Sequence, residues 1–227
     1  MGRKVKYMER HYFAANGVEE KTRFAVSVSA KPRAGKANAS SLRQQEANRN
    51  QAAHILGRLL NNNFSQGDLF LSPGYSREEL AKLKARAKAA LGQVRPRKEK
   101  LENAILAEVD KDARRFIRRL KDAGAVGLKY VIVPSDREKK GSALKPAAPH
   151  VHIILSCEQI KLEQKRLTVC GRTLVDLWGH AESVEHEFLR SGPLNKLAAY
   201  LIAQTRTIPN RKKYTCSRNL VPVRFEE

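Results

Sequence analysis

Two short runs limit the fold of this chain more than any other feature. Leu128 to Val133 (LKYVIV) and Val151 to Leu155 (VHIIL) are apolar almost without interruption. Runs of this length, rich in β-branched residues, read as strands buried in a sheet. The polar stretch between them, SDREKKGSALKPAAP, reads as a hairpin loop or a flap. Elsewhere the pattern changes to a helical period. Ser41 and Gln44 form a capping box opening a helix that would carry Ile55, Leu56, Leu59 and Leu60 inward and stop at the turn-favouring Asn61, Asn62 and Asn63. Ser76 and Glu79 form a second box, before a helix with Leu80, Leu83, Ala87 and Leu91 on one face. A third helix is expected from about Lys98 to Ala123, with Gly124 as its stop.

The remaining signals are shorter. Strands are expected at Phe24 to Val28, Asp68 to Ser72, Leu167 to Cys170 and Val184 to Leu189, and helices at Leu174 to Trp178 and Leu194 to Thr205. Lys31 to Asn38 (KPRAGKAN) reads as a flexible basic loop. Helices and hairpin-like strands mix without regular alternation, so the expected class is α+β with a central antiparallel sheet and flanking helices. Residues 1–40 read as a basic N-terminal extension holding one candidate strand, and 41–227 as the main domain.

Lys and Arg number 44 against 23 Asp and Glu, a formal charge of +21. Such an excess repels itself in a compact state unless a polyanion or counterions screen it. The cations are spread along the chain, which points to nucleic acid ahead of an anionic membrane surface. No apolar stretch approaches the ~18 residues of a membrane span, and the N-terminus lacks the apolar region of a secretory signal. Cys157, Cys170 and Cys216 are odd in number and lack metal-ribbon spacing, which fits a reducing, cytoplasmic setting.

His150-Val151-His152 is the sharpest chemical signal. On a strand, residues i and i+2 share a face, so both imidazoles project together while Val151, Ile153 and Leu155 face the core. Two convergent imidazoles suit a divalent metal with open positions for substrate oxygens. The bland alternative is a pair of histidines on the solvent face of an edge strand. Tyr200 supplies context, because the helix LNKLAAYLIAQT places it with Lys196 and Gln204 opposite the apolar Leu194, Leu197 and Leu201. A tyrosine so placed in a DNA-binding protein can attack a phosphodiester, although a phenol ordinarily keeps its proton at neutral pH and needs help from a metal and cations. Its alternative is a half-buried tyrosine with a solvated hydroxyl. Trp178 reads as core, Tyr75 as structural, and Tyr214 as a flank of backbone contacts to DNA. His11, His54, His180 and His186 lack paired spacing.

These residues resemble the HUH endonucleases that initiate rolling-circle replication of bacterial plasmids and phages. The resemblance runs from NNNFSQGDLFLSPGY through LKYVIV and PHVHIIL to NKLAAYLIAQTR and KKYTCSRNLVP, about two-thirds of the chain. It implies a ferredoxin-like five-stranded antiparallel sheet, with the histidines on a central strand, the tyrosine on a facing helix and 41–227 as the endonuclease domain. It also implies that His150 and His152 hold Mg²⁺ or Mn²⁺ and that Tyr200 attacks the phosphate. The products would be a 5′-phosphotyrosine and a free 3′-OH able to prime a host polymerase. The partner would be single-stranded or supercoiled origin DNA, contacted by Arg206, Arg211, Lys212, Lys213 and Arg218. With no G-x-x-x-x-G-K-[ST] in the sequence, strand opening would fall to supercoiling or a host helicase.

Three departures from the family pattern stand out. Ser72-Pro73-Gly74-Tyr75 replaces a threonine-rich LTY. Ser135 stands where a glutamate usually completes the metal site, which makes Asp136 the candidate third ligand and Glu138 the reserve. Ala203 replaces the usual lysine three residues after the tyrosine, and Lys196 or Gln204 could substitute for it. Other readings are a related mobilisation relaxase or transposase, or a catalytically weakened origin-recognition or repressor protein on the same fold. Relaxases more often carry a histidine triad and an N-terminal tyrosine, and an RNA-binding sheet would need an aromatic pair on a strand.

Overall fold

The structure is a computed structural model and describes residues 5–27, 41–92, 95–140, 143–206, 208 and 212–223. The expected loop at Lys31 to Asn38 and the candidate DNA contact Arg211 lie outside the described residues. The chain divides into two compact units, Met1–Phe64 with Gly192–Ala199 and Val221–Glu227, and Ser65–Ser191 with Tyr200–Leu220. The first unit therefore takes in the helix that the sequence reading grouped with residues 41–227.

That unit is a hairpin with a helix. Strands β1 (Val5–Phe13) and β2 (Glu19–Ser27) pair antiparallel along their whole lengths, and α1 spans Leu42–Asn63. Only β2 was expected, because the charges scattered through VKYMERHYF hide the alternation of β1. Tyr12 anchors the hairpin, its buried hydroxyl donating to the Arg58 carbonyl at 2.6 Å, and Arg58 pairs with Glu20. Leu56 and Leu60 are buried as expected, whereas Ile55 is 46 % exposed. The asparagines are not a turn; they form the last helical turn and join distant backbone. Asn61 accepts from the Leu194 amide at 2.7 Å, and Asn63 from the Val221 amide at 2.7 Å. Asparagine suits this task because its short amide both donates and accepts.

The second unit is built on a five-stranded sheet. Its strands are β3 (Leu69–Pro73), β4 (Lys129–Lys140), β5 (Ala143–Ser156), β9 (Val184–Phe188) and β10 (Thr215–Cys216). They lie in the order β10-β4-β5-β3-β9, and every neighbouring pair is antiparallel. The class is α+β, with the histidine strand β5 in the centre. Helices α2 (Arg77–Leu91), α3 (Lys98–Asp122) and α4 (Leu174–Trp178) flank it, and α5 (Asn195–Gln204) gives its Tyr200–Gln204 end to this unit. A small sheet of β6 (Ile160–Glu163), β7 (Arg166–Val169) and β8 (Arg172–Thr173) completes the fold. The division between units falls within α5, between Ala199 and Tyr200. No helix of the described residues is long and apolar enough to cross a membrane.

Pleating sorts the central strands into two faces. Leu69 and Leu71 of β3, Ile132 of β4 and Val151, Ile153 and Leu155 of β5 belong to one core with Val109, Phe116 and Leu120 of α3. Each fully buried aliphatic side chain contributes about 1.5–3 kcal/mol relative to exposure. Phe70, Ser72, His150 and His152 occupy the alternate positions. The polar segment between the two apolar runs is a hairpin whose pairing continues to Lys140 opposite Ala143, so β4 and β5 run well beyond their apolar cores. Between Ser135 and Arg137 the register slips, leaving Asp136 opposite Ala147, Ala148 and Pro149.

Candidate active site

The site grows from the alternation and the slip together. His150 and His152 project from one face of β5, with their rings 4.7 Å apart and nearly perpendicular. The irregular segment before His150 brings the Ala148 carbonyl to 2.8 Å from His150 Nδ1. A carbonyl can only accept, so Nδ1 carries the proton and the Nε2 of the neutral ring is a lone pair. That nitrogen lies 3.1 Å from His152 Nε2. His152 Nε2 in turn lies 2.8 Å from Gln204 Oε1, and its Nδ1 lies 3.0 Å from Ser72 Oγ. Phe70 stacks on the His152 ring at 5.4 Å and fixes its plane.

This arrangement allows two states of one ring. With a proton on His152 Nε2, that proton faces the acceptors of His150 and Gln204, and the Ser72 hydroxyl donates to Nδ1. With the proton on Nδ1, donated to Ser72, three lone pairs converge: His150 Nε2, His152 Nε2 and Gln204 Oε1. The 3.1 Å separation of the two ring nitrogens would let both imidazoles hold one divalent cation. All three donors are neutral, so they would leave the cation's full charge for an anionic phosphate. Among the described residues the buried Gln204 Nε2 has no hydrogen-bond partner.

Tyr200 lies beside this set, with its ring centroid 5.7 Å from that of His152. It is half-buried and shares one cleft with Ser72, Tyr75, Glu138, His150 and His152. Among the described residues no hydrogen bond ties up its hydroxyl.

Other candidates are placed elsewhere. Asp136 does not join the histidines: its Oδ2 accepts from Arg206 Nε at 2.6 Å. Among the described residues, no three His, Cys, Asp or Glu side chains group as a metal site, and the third donor near the pair is an amide. Glu138 is the acidic reserve that does line the cleft. Arg206, named for DNA, is engaged by Asp136 and by Glu102, the latter at 2.8 Å. Lys212 and Lys213 line a separate cleft with Arg206, and Arg218 flanks a groove with Lys121 and Tyr130. Lys196 is exposed in the first turn of α5. Sequence reasoning missed Ser72 as the partner of His152, although its alternation with Leu71 put a hydroxyl on the histidine face. Phe70 was missed for the same reason.

Burial, reinforced by the neighbouring His150, pushes the His152 imidazole down to about 4. Unfolded histidine takes its proton near ~6.5, so both states are neutral above that value and the stabilisation is complete. Between ~6.5 and ~4 the unfolded chain binds a proton that the fold refuses, so stability falls as pH falls. Urea titrations of the metal-free protein are expected to lose about 2 kcal/mol from this group between pH 7 and 5. The His152→Phe protein, which keeps a ring against Phe70, should lack that component. Equal pH slopes for the two proteins would refute it.

Compared with models of protein families, with curated proteins and with solved structures, the chain matches none.

Proposed function

We propose that this chain cuts and rejoins single-stranded DNA by transesterification on Tyr200, with a divalent cation held by His150, His152 and Gln204. The observation that carries the reading is a run of three neutral donors, with His152 Nε2 3.1 Å from His150 Nε2 and 2.8 Å from Gln204 Oε1, beside a tyrosine whose hydroxyl has no hydrogen bond among the described residues. The donor set departs from the expected one only in its third member, with Gln204 in place of Asp136. Imidazole and amide oxygen suit Mn²⁺ or Mg²⁺ at a site with open positions. When bound, the cation would polarise the scissile phosphate and offset its charge.

The protein's own groups do the rest. Ser72 accepts the Nδ1 proton when the His152 ring presents the Nε2 lone pair, and the Ala148 carbonyl holds His150 in the matching tautomer. Tyr200 Oη forms a bond to phosphorus as the bond from phosphorus to the 3′ oxygen breaks. The phenol proton leaves to solvent and the 3′ oxygen gains one, so atoms and charge balance. The ester energy stays in the 5′-phosphotyrosine, and the same site can rejoin strands without a nucleotide cofactor. The formal charge of +21 would hold the polyanionic strand. Initiation of rolling-circle replication in a bacterial cytoplasm, with a host helicase and polymerase, is the setting this chemistry fits.

Covalent capture tests the reading. The protein is incubated with a randomised single-stranded oligonucleotide pool in Mn²⁺ or EDTA and run on a denaturing gel. A protein-DNA adduct in Mn²⁺ and none in EDTA is the expected result. Tight binding with no adduct in either would replace the enzyme with a DNA-binding module on the same fold.

A further inference from the structure

We propose that Arg206 is a positioning residue that clamps the C-terminal end of the tyrosine helix, setting the place of the Gln204 amide beside the histidines. The inference rests on the reading of His150, His152 and Gln204 as one donor set.

A helix end leaves its last carbonyls without partners and frays unless something else binds them. Here the end of α5 is held by several independent contacts. Ser135 Oγ lies 3.1 Å from the Gln204 carbonyl oxygen, and Thr205 Oγ1 donates to the Ile202 carbonyl at 2.8 Å. Arg206 Nε donates to Asp136 Oδ2 at 2.6 Å, and Arg206 Nη1 donates to Glu102 Oε2 at 2.8 Å. The guanidinium thus ties the residue just past the helix both to the register slip of β4 and to α3. Gln204 is 1 % exposed, two residues before the clamp, and reaches His152 Nε2 at 2.8 Å. Functional groups must be held within about 0.5 Å to work, a tolerance that a fraying last turn would exceed.

The same contacts argue against Arg206 as a phosphate contact. Two of the guanidinium's nitrogens are already taken up by the Asp136 and Glu102 carboxylates. Removing a cation that binds phosphate weakens DNA binding and lowers its salt dependence. Removing a clamp does neither.

The test uses the full chain as wild type, Arg206→Ala, Arg206→Lys and the gentler Glu102→Gln, each with its melting curve. Two readouts are taken: amide hydrogen exchange over 200–205 without metal, and Mn²⁺ affinity by titration without DNA. The clamp predicts at least tenfold faster exchange in Arg206→Ala and a ~10-fold weaker Mn²⁺ site, the scale typical of partners that orient ligands. Arg206→Lys should recover only part, since one ammonium lacks the planar fork. In nicking, kcat should fall while KM for the oligonucleotide stays constant. Unchanged exchange in Arg206→Ala and Glu102→Gln overturns the clamp, and a raised KM with a shallower salt slope returns Arg206 to DNA contact. Wild type that binds no Mn²⁺ sinks the metal reading, while the exchange measurement still decides the clamp.

Discussion

Replacing Tyr200 with phenylalanine is expected to abolish the covalent adduct and lower nicking by on the order of 10³-fold or more, since Tyr75, the other tyrosine lining the cleft, gives its hydroxyl to Asp112. The change removes one oxygen and keeps the ring 5.7 Å from His152, so the fold, Mn²⁺ affinity and non-covalent DNA affinity should stay as in wild type. An adduct surviving in Tyr200→Phe would move the nucleophile to another tyrosine. The structure disfavours Tyr75 and Tyr214 in that role. Burial, then the Asp112 carboxylate that accepts its hydroxyl at 3.2 Å, pushes Tyr75 far up, away from a phenolate. Burial also raises Tyr214, with Cys216 adding to it. Peptide mapping of the DNA-linked residue settles the assignment directly.

The second large effect concerns stability. Trp178 has no exposed surface, packs edge-on to Phe116 at 5.7 Å and to Tyr75 at 5.5 Å, and donates from Nε1 to the Gly74 carbonyl at 2.7 Å. Truncation to alanine removes this packing and leaves the Gly74 carbonyl without its partner. The expected cost is about 3–5 kcal/mol, with a melting midpoint lower by ~10 °C or more. Trp178→Phe keeps most of the volume and loses the hydrogen bond, so its cost should be about 1–2 kcal/mol. Far-ultraviolet circular dichroism is the suitable probe, because Trp178 is the only tryptophan and fluorescence disappears with it. Equal midpoints for the alanine variant and wild type would refute the packing argument. The bond to Gly74 also secures the segment after Ser72, so the alanine variant should bind Mn²⁺ more weakly even where it is folded.

Trp178 shows how far a sequence pattern reaches. Its place in the core was legible from the short apolar helix expected at Leu174 to Trp178, whereas its bond to Gly74 joins residues 104 positions apart and left no local mark. The asparagines 61–63 show the reverse failure. Their composition suggested a turn, and the helix continued because each amide found a distant backbone partner to offset a weak propensity. The hairpin of β4 and β5 was misjudged in length for a similar reason. Charged residues can pair in a ladder exposed to solvent, and only the partner strand reveals it.

The sequence by itself determined what depends on neighbours along the chain. A period of two put His150 and His152 on one side of a strand, a helical period put Tyr200 and Gln204 one turn apart, and apolar density marked the central strands. These follow from backbone geometry, which acts over a few residues. Tertiary structure alone decided which groups meet. Gln204 reaches His152 across 52 positions, Ser72 across 80, and Arg206 takes Asp136 across 70. Each meeting depends on strand order and on the slip between Ser135 and Arg137. A shift of one residue in pairing turns every side chain of a strand to the opposite face. The slip hands Asp136 to Arg206 and leaves the third place beside the histidines to an amide from α5.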